Sequence, residues 1–414
     1  MDNKTIQPNN FDAQILEPAV SSSDNAVQSS NPSSPAPALW LQEKFRQYYA
    51  NARPQVQQVE KREFGFGSWE KKIEFRHLCF ENPQSLWMRL RKDAPLYVSC
   101  SAAYYEFPAN RPMPNKHWLG ADIIFDLDAE PDAISPFILQ KTLDDVRSKA
   151  ITLIEDFLIP DFGFSQDELH VNFSGSRGYH VRVYHKDSQV LGRAERREIV
   201  DYIEGVGLAF EDFFSEEAIG DSDNAHRHFS RLAGPSPNMG GYKGKFARRI
   251  IKMLNDPASA ALISPKLKNA ENVKRLICGI EKGNWSAVQI PHAVEQFRKI
   301  FLQTSLRLTN QVETDANVTI DTSKILRLPD SIHGGSGMLA KSIPPSKKLC
   351  EFSPLIDALA FSMKKTQRVR TLRKIPSQEF GAQTFDEIAC AKEIELPEAY
   401  AIYLVCKKTA VPII

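Results

Sequence analysis

The chain has 414 residues, 42% of them hydrophobic and 25% charged, a composition typical of a soluble globular protein with two or three domains. Its 52 Lys and Arg residues nearly cancel its 51 Asp and Glu residues. No overall positive charge therefore indicates a nucleic-acid partner, and contacts with anions must come from local clusters. The six cysteines lack C-x-x-C spacing, which argues against a zinc ribbon or a disulfide framework. No apolar run is long enough for a membrane span or a secretory signal, so we expect a cytoplasmic protein without membrane contacts.

The first 38 residues are rich in Ser, Asn, Pro and Ala, and they contain too little apolar surface to offset the entropy of ordering. We therefore predict a disordered tail over 1–38. Order is expected to begin near Trp40 with a helix, whose apolar spacing is that of Leu41, Phe45 and Tyr48 or Tyr49. The runs KKIEFRHLCF and APLYVSCSAAYYEF then predict short strands.

The run ADIIFDLDAE predicts a strand that carries two acids on one face. Asp126 and Asp128 are two residues apart and point the same way, while Phe125 and Leu127 point towards the core. Two carboxylates on one face repel each other unless a cation lies between them, and Mg²⁺ and Mn²⁺ prefer such oxygen ligands. The competing interpretation of a bare D-x-D is a solvated strand end with two surface acids.

Residues 136–158 predict an amphipathic helix that Pro160 and Gly163 end, with an apolar stripe made of Leu143, Val146, Ala150, Leu153, Ile154 and Phe157. The strand HVNFS, the turn GSRG and the strand YHVRVYH follow. In this turn, Gly175 and Gly178 allow a close approach of backbone amides to a ligand. Phosphate oxygens would be matched by the donors of Ser174, Ser176 and Arg177, followed by His180, Arg182 and Tyr184 on one strand face. A hairpin turn with exposed cations is the alternative.

Residues from about 190 to 305 have a mostly helical pattern, interrupted by the loop AGPSPNMGGYKGK. A basic cluster with Tyr242 and Phe246 interleaved begins in this loop and consists of Lys243, Lys245, Arg248, Arg249 and Lys252. Cations that alternate with aromatic residues are typical of a surface that binds single-stranded template. A solvated basic helix face is the alternative interpretation.

Strand-like character returns in VTIDTSKILRLPDSIHGGSG, where Asp321 follows an apolar run and Arg327 and His333 flank a proline turn. The last segment, PEAYAIYLVCKK, predicts an amphipathic helix. The order of elements predicts an α/β (α+β-like) fold whose mixed or antiparallel central sheet carries all three aspartates. After the tail, the predicted parts are the catalytic core over 39–190, a helical insertion over 191–305, and the rest of the core with the C-terminal helix over 306–414.

The segments REFGF, RHLCF, SAAYYEFP, FDLDAE, SGSRGYHV, TIDTSKILRLPDSIHGGSG and PEAYAIYLVCK resemble, in this order, the small catalytic subunit of archaeal and eukaryotic DNA primases. The archaeal branch is the more similar, and the resemblance runs from about residue 45 to the C-terminus. It implies a nucleotidyltransferase of the DNA-directed RNA polymerase type, which makes short primers for replication by a two-metal mechanism and extends them with deoxynucleotides. It also implies a heterodimer with the large primase subunit, and nucleoside triphosphates, primer and single-stranded DNA template as ligands.

Residue by residue, the resemblance implies that Asp126, Asp128 and Asp321 hold Mg²⁺ or Mn²⁺. It implies that the triphosphate is bound by Ser174, Gly175, Arg177, Gly178, His180, Arg327 and His333. It also implies that Arg76 and Glu63 lie near the nucleotide. Archaeal members commonly carry a Cys/His zinc motif after the D-x-D, but AEPDAISPFILQKTLDD contains neither Cys nor His. We therefore predict no structural zinc at this position.

Three alternatives remain at this level. A primase-polymerase of end-joining repair or of a mobile element would share the three acids and the glycine turn. A metal-dependent phosphodiesterase or nuclease would use clustered aspartates but has no need of a triphosphate-binding turn. A non-catalytic replication scaffold has no need of the acids at all.

Overall fold

The computed structural model describes residues 36–130, 137, 140–219, 229–309, 314–344 and 348–413. The α-helices in these ranges are α1 (Ala36–Tyr49), α2 (Pro83–Asp93), α3 (Gln140–Thr152), α4 (Lys186–Gln189), α5 (Arg193–Ile203), α6 (Phe210–Phe213), α7 (Gly241–Leu254), α8 (Pro257–Ile263), α9 (Ala270–Glu281), α10 (Ala293–Thr309), α11 (Ala316–Ile320), α12 (Pro354–Asp357) and α13 (Glu398–Cys406). The strands are β1 (Phe64–Gly67), β2 (Phe75–Leu78), β3 (Tyr97–Ser101), β4 (Ala103–Tyr105), β5 (Trp118–Ala121), β6 (Ile123–Asp128), β7 (Leu169–Phe173), β8 (Gly178–Val183), β9 (Ser215–Ile219), β10 (Phe229–Ala233), β11 (Ile325–Arg327), β12 (Ser342–Ile343), β13 (Thr366–Thr371), β14 (Gln378–Phe380), β15 (Gln383–Phe385), β16 (Glu393–Pro397) and β17 (Ala410–Pro412). A π-helical turn (Leu153–Leu158) extends α3.

Two four-stranded sheets form the framework, with strand orders β11-β3-β1-β2 and β12-β7-β8-β6. Their strand pairs are antiparallel, as are those of the three-stranded sheet β16-β13-β17. The predicted α/β class is confirmed. Strand β6 also shows the predicted alternation, because Phe125 and Leu127 are fully buried while Asp126 is half-buried and Asp128 is exposed.

The segment after residue 314 forms a helix where the sequence pattern predicts a strand. The side chain of Asp315 caps α11 by accepting a hydrogen bond from the amide of Asn317. The hydroxyl of Thr319 then donates to the carbonyl oxygen of Ile124 at 2.9 Å, so this tertiary contact docks the helix on β6 and overrides the strand propensity of the run. Asp321 ends the helix. The prediction that the sheet carries all three aspartates is therefore wrong.

The predicted helical insertion is mostly helical, but it also contains the hairpin of β9 and β10. Its interior is aromatic: the ring of Trp285 packs edge-on against Phe214 at 5.0 Å and against Phe297 at 5.1 Å. The indole nitrogen of Trp285 donates to the carbonyl oxygen of Pro235 at 3.0 Å, so its one polar atom is satisfied. This part of the chain therefore has an aromatic interior, which is continuous with the buried residues of the two four-stranded sheets.

Two predictions at the chain ends need correction. Residues 36–38 of the predicted tail belong to α1, and the remainder of the tail lies outside the described residues. The C-terminal helix α13 is not amphipathic, because all its residues from Glu398 to Cys406 are buried. Among the described residues, no helix has the length and apolar character needed to cross a membrane.

Candidate active site

Two carboxylates stand on β6, and the neighbouring strand brings a histidine opposite one of them. In the register of β6 and β8, Asp126 faces His180. The Oδ1 atom of Asp126 is buried and accepts no hydrogen bond, although the Nε2 atom of His180 lies 3.4 Å away. Burial and the charge of Asp315 raise the pKa of Asp126 from its ordinary 3.8 to about 6. This carboxylate is suited to accept a cation.

Gly178 lies directly against the second acid. A Cβ atom at this position would come within 2.1 Å of the Oδ1 atom of Asp128 and 2.0 Å of the carbonyl oxygen of Leu127, so glycine is required. Partial burial and the charge of Asp126 raise the pKa of Asp128, and nearby cations oppose the shift. The glycine turn and the acid pair are thus one packed unit.

His180 is held as a neutral hydrogen-bond donor. Its Nδ1 atom lies 3.4 Å from the amide nitrogen of Asn172, which can only donate, so we assign the ring proton to Nε2. The same amide nitrogen donates to the carbonyl oxygen of Phe173 at 3.0 Å, which fixes its orientation. Burial lowers the pKa of His180 to about 4, so the ring is uncharged at neutral pH. Its N–H bond faces the acid pair.

The turn between β7 and β8 is closed by two hydrogen bonds. The amide of Ser174 donates to the carbonyl oxygen of Gly178 at 2.8 Å, and the Oγ atom of Ser174 accepts from the amide of Gly178 at 3.1 Å. The Ser174 hydroxyl hydrogen is therefore left to donate to another group. The hydroxyl of Ser336 donates to the carbonyl oxygen of Gly175 and fixes the turn against the loop 333–337.

Arg327 and His333 meet around the ring of Tyr97. The guanidinium lies 4.9 Å from the Tyr97 ring centre, and the imidazole packs edge-on at 5.5 Å. The Nε and Nη1 atoms of Arg327 are buried without hydrogen-bond partners. Burial lowers the pKa of Arg327 to about 10, so it remains charged at neutral pH. Burial and then the Arg327 charge hold the pKa of His333 well below its usual range, and its Nδ1 atom accepts from the amide of Gly335 at 3.1 Å. A cation beside a neutral N–H donor suits an anion.

Two further lysines belong to this cationic cluster, and sequence reasoning missed both. The charges of Lys407 and Lys72 contribute to the lowered pKa of His333. Lys407 also lies close enough to Arg177 for the Arg177 charge to lower the pKa of Lys407. Lys407 is the last residue of the segment PEAYAIYLVCK and Lys72 precedes β2, and neither position by itself indicates an anion contact. Only the tertiary fold brings them to the site.

Asp321 has polar partners of its own, and a second acid of the same segment is bonded to the backbone of Asp126. The Oδ1 atom of Asp321 accepts from the amide of Ser323 at 2.9 Å and from its hydroxyl at 2.7 Å, and it lies 3.7 Å from Arg193. Asp315 stands at the other end of α11, and its amide donates to the carbonyl oxygen of Asp126 at 2.9 Å. The run TDANVTID thus contains two candidate acids. Recognising Asp315 would have required recognising a helix cap instead of a strand.

Glu63 and Arg76 lie together, as the resemblance implied for two residues of one site. The Oε1 atom of the fully buried Glu63 accepts from the Nε atom of Arg76 at 3.0 Å and from the amide of His77 at 3.3 Å. Its Oε2 atom has no hydrogen bond and lies 3.5 Å from the ammonium of the buried Lys116. The Arg76 side chain remains 43% exposed, so its free guanidinium nitrogens can reach a ligand.

The basic cluster of the insertion is only partly a surface feature. Tyr242 and Phe246 are buried in the core, so the expectation that they alternate with cations on a binding surface is wrong. Lys245 forms an ion pair with Asp161 and is also withdrawn from the surface, with only 9% of its side chain exposed. The solvent-facing remainder of the cluster, here called the α7 basic face, consists of Lys243, Arg248, Arg249 and Lys252.

No group of three or more His, Cys, Asp and Glu side chains converges on one point in the described part of the chain. A carboxylate pair without a third protein ligand still fits Mg²⁺, which keeps several waters and is commonly held by one or two carboxylates together with substrate phosphates. The buried, unpaired Oδ1 atom of Asp126 provides the strongest local argument for a cation.

Comparison with known proteins adds an independent finding. Residues 125–344 match the family model described as DNA primase small subunit. The chain is 34% identical over 403 residues to the DNA primase small subunit PriS of Methanosarcina acetivorans, covering 90% of this chain and 95% of that protein. It is 35% identical over 407 residues to that of Methanosarcina barkeri, with 90% and 96% covered. The corresponding protein of Archaeoglobus fulgidus is 30% identical over 377 residues, with 90% and 98% covered.

Proposed function

The chain belongs to the DNA primase small-subunit family, and we propose that it catalyses template-directed synthesis of short primers from nucleoside triphosphates. One observation carries the proposal. The Oδ1 atom of Asp126 and two guanidinium nitrogens of Arg327 are buried without hydrogen-bond partners. The Asp126 charge acts on Asp128, and the Arg327 charge acts on His180, which faces Asp126. A carboxylate and a guanidinium that both lack hydrogen-bond partners match a metal-bound polyphosphate. Its cation would pair with the carboxylate, and its phosphates would pair with the guanidinium.

Asp126 and Asp128 would hold the divalent cations, Mg²⁺ or Mn²⁺. Bound cations would supply charge neutralisation for the leaving pyrophosphate and acidify the attacking hydroxyl group. The raised pKa of Asp126 supports this role, because two adjacent carboxylates repel each other until a cation offsets their charge. Asp128 stands at the exposed end of the strand, where it can reach a ligand from solvent.

The remaining residues would bind the triphosphate. Ser174 and the neutral His180 offer hydroxyl and imidazole donors on the side of the acid pair. Arg177 and Arg327 supply permanent charge, and His333 supplies a second neutral donor. Ser174 and His333 accept hydrogen bonds from backbone amides and Arg327 packs against Tyr97, so little reorganisation of these three is needed when a nucleotide binds.

The third metal carboxylate is a choice between Asp321 and Asp315. Asp321 was expected from the resemblance. Its carboxylate accepts hydrogen bonds from Ser323 and lies 3.7 Å from Arg193, and the Asp315 carboxylate likewise accepts one from the amide of Asn317. Asp315 is the better candidate on two observations: its amide is bonded to the backbone of Asp126, and its charge acts on the Asp126 carboxylate. We therefore favour Asp126, Asp128 and Asp315 as the acid set.

A large primase subunit is the proposed partner, in a heterodimer that works on single-stranded DNA template and primer. The relatives are small subunits by name, which supports a larger counterpart. We expect the chain alone to extend primers, also with deoxynucleotides, better than it initiates them. Efficient synthesis of dinucleotides from two free nucleotides by the isolated chain would contradict this expectation.

The test is nucleotide incorporation on a single-stranded template by the full chain and by two matched variants. We expect Asp315→Asn to lower kcat on the order of a thousandfold and Asp321→Asn to lower it less than about tenfold, because only the first removes a charge that acts on Asp126. Circular dichroism would verify that both variants remain folded. The reverse order of effects would restore Asp321 as the third ligand, and no incorporation by the unmodified chain with its large subunit would refute the proposed function.

Binding experiments separate the rival functions. A nuclease or phosphodiesterase would degrade the template in the same assay and would gain no thermal stability from a nucleoside triphosphate. A scaffold would incorporate nothing. A primase-polymerase of end-joining repair shares the proposed chemistry, and it would differ by acting without the large subunit.

A further inference from the structure

A lysine stands at the C-terminal end of α13, directly behind the loop that carries His333. Lys407 follows the last residue of the helix, and its amide donates to the carbonyl oxygen of Tyr403 at 2.9 Å. Its ammonium lies 5.3 Å from the centre of the Tyr403 ring. The side chain is half-buried and is part of no hydrogen bond or ion pair among the described residues.

Three segments meet where this lysine lies. A Cβ atom at Gly337 would come within 2.7 Å of Ile402 and 3.4 Å of the sulfur of Cys406, so the loop 333–337 rests directly on α13. The same loop is bonded to the glycine turn, because the hydroxyl of Ser336 donates to the carbonyl oxygen of Gly175. The end of α13 is therefore tied to the turn that carries the proposed triphosphate contacts.

The charges around Lys407 have the same sign. Arg177 of the glycine turn lowers the pKa of the lysine, and Lys407 in turn helps to lower the pKa of His333. Burial, opposed by the Cys406 thiol and reinforced by Arg177, brings the pKa of Lys407 to about 8. An ammonium that lies between other cations and has no carboxylate partner is unfavourable unless an anion joins the group.

A helix C-terminus does attract cations, but this does not explain the position of the side chain. Lys408, the next residue, would satisfy the helix dipole equally well from the surface, and its ammonium instead lies 4.7 Å from the ring centre of Trp69. Of these two lysines, only Lys407 is among the charges that lower the pKa of His333. The placement favours a ligand over a capping role.

We propose that Lys407 is a further triphosphate-binding residue, which contacts the phosphate group most distant from the reacting phosphorus atom. The inference rests on the proposed function for the identity of the anion. The choice of the terminal phosphate follows from the end of the glycine turn to which α13 is tied. The loop of His333, on which α13 packs, lies against Gly175 at the start of the turn, whereas Asp128 lies against Gly178 at its end. Lys407 therefore lies on the side of the site away from the metal acids.

The kinetic test compares Lys407→Met with Lys408→Met in the full chain together with its large subunit. Methionine keeps the apolar stem of lysine and removes the charge. For Lys407→Met we expect the KM of the incoming nucleotide to rise about tenfold with kcat changed less than about threefold, because a charged contact to a substrate phosphate distant from the reaction centre contributes to binding. Lys408→Met should leave both constants unchanged, and Lys407→Arg should restore most of the affinity. An unchanged KM for Lys407→Met would overturn the proposal.

A binding measurement without metal separates this inference from the proposed function. Inorganic tripolyphosphate in the presence of a chelator should raise the melting temperature of the unmodified chain, and Lys407→Met should lose most of that shift while keeping its ligand-free melting temperature. If the unmodified chain binds tripolyphosphate through Lys407 but incorporates no nucleotide, the proposed function fails and the binding residue stands. If incorporation occurs and Lys407→Met binds tripolyphosphate as tightly as the unmodified chain, the binding residue fails and the function stands.

Discussion

Asp122 and Asp126 are four residues apart on one extended segment, yet their surroundings are opposite in kind. The carboxylate of Asp122 is fully buried and accepts hydrogen bonds from Arg62 at 2.7 Å, Tyr104 at 2.6 Å, Arg182 at 3.0 Å and Gln189 at 3.2 Å. The carboxylate of Asp126 has a buried oxygen with no hydrogen bond at all. Asp122 therefore has a full set of hydrogen-bond donors, whereas Asp126 has an oxygen without one.

The same contrast divides the buried arginines. Arg196 donates to the carbonyl oxygens of Asp122 at 3.0 Å, Ala121 at 2.7 Å and Leu191 at 3.0 Å, so all its nitrogens have acceptors. Arg327 leaves two buried nitrogens without acceptors. Since unpaired buried polar atoms are costly, those of Arg327 and Asp126 indicate a site for a charged ligand. We infer that the satisfied centre around Asp122 maintains the fold and that the unpaired groups bind the ligand.

Removal of Asp122 is the strongest way to test the structural half of this comparison. We expect Asp122→Ala to lower the free energy of unfolding by about 3–5 kcal/mol, because it leaves Arg62 and Arg182 buried without their counter-ion. Urea denaturation monitored by circular dichroism would measure the loss. If the variant does not fold, Asp122→Asn keeps some hydrogen bonding and serves in its place. Glu393→Ala, which removes one acid of an exposed ion pair with Arg368, is the control and should cost less than about 1 kcal/mol.

Removal of the Asp126 charge should raise the free energy of unfolding at neutral pH, in contrast to the removal of Asp122. The folded protein raises the pKa of this acid from 3.8 to about 6, so the folded state holds the proton more tightly than the unfolded state. The charged form therefore costs stability progressively as the pH rises from about 4 to above 6, up to about 3 kcal/mol. Asp126→Asn should be about as stable as the parent chain near pH 4 and more stable at pH 7.5, while its nucleotide incorporation is lost. The stability difference would be measured with a chelator present, and a variant that is less stable at pH 7.5 would contradict the account.

The sequence pattern predicted the positions of Asp126 and Asp128 but not that of Asp315. Alternation along β6 was enough to place Asp126 and Asp128 on one face, because strand geometry is local. The conformation of α11 was mispredicted, since its docking depends on a hydrogen bond between Thr319 and Ile124, almost two hundred residues apart in sequence. Asp315 was missed with it.

Lys407 shows the same limit for the cations of the site. Its neighbours Arg177 and His333 come from two other segments, and the spacing between these segments carries no periodic signal. The buried role of Asp122 was also beyond pattern analysis, since an acid just before a strand is more often solvated. Local spacing does not predict which residues will contact a charged side chain in the fold. In this molecule those contacts distinguish a structural charge from a functional one.

The smallest expected effect concerns the α7 basic face. Its members Arg248 and Lys252 are exposed, and Arg248 also donates to the carbonyl oxygen of Pro237 at 2.6 Å. Because solvent ions screen exposed charges, both would contribute only weakened contacts to the template backbone. We expect Arg248→Gln with Lys252→Gln to reduce the slope of log K for primer-template against log salt concentration by about 0.7 for each lost phosphate contact, with kcat unchanged. The double variant Lys268→Gln with Lys274→Gln changes the net charge equally at other exposed positions and should keep the parent slope. Equal slopes for all three proteins would show that the α7 basic face does not contact the template. An equal reduction of the slope in both double variants would show that the net charge alone accounts for the effect.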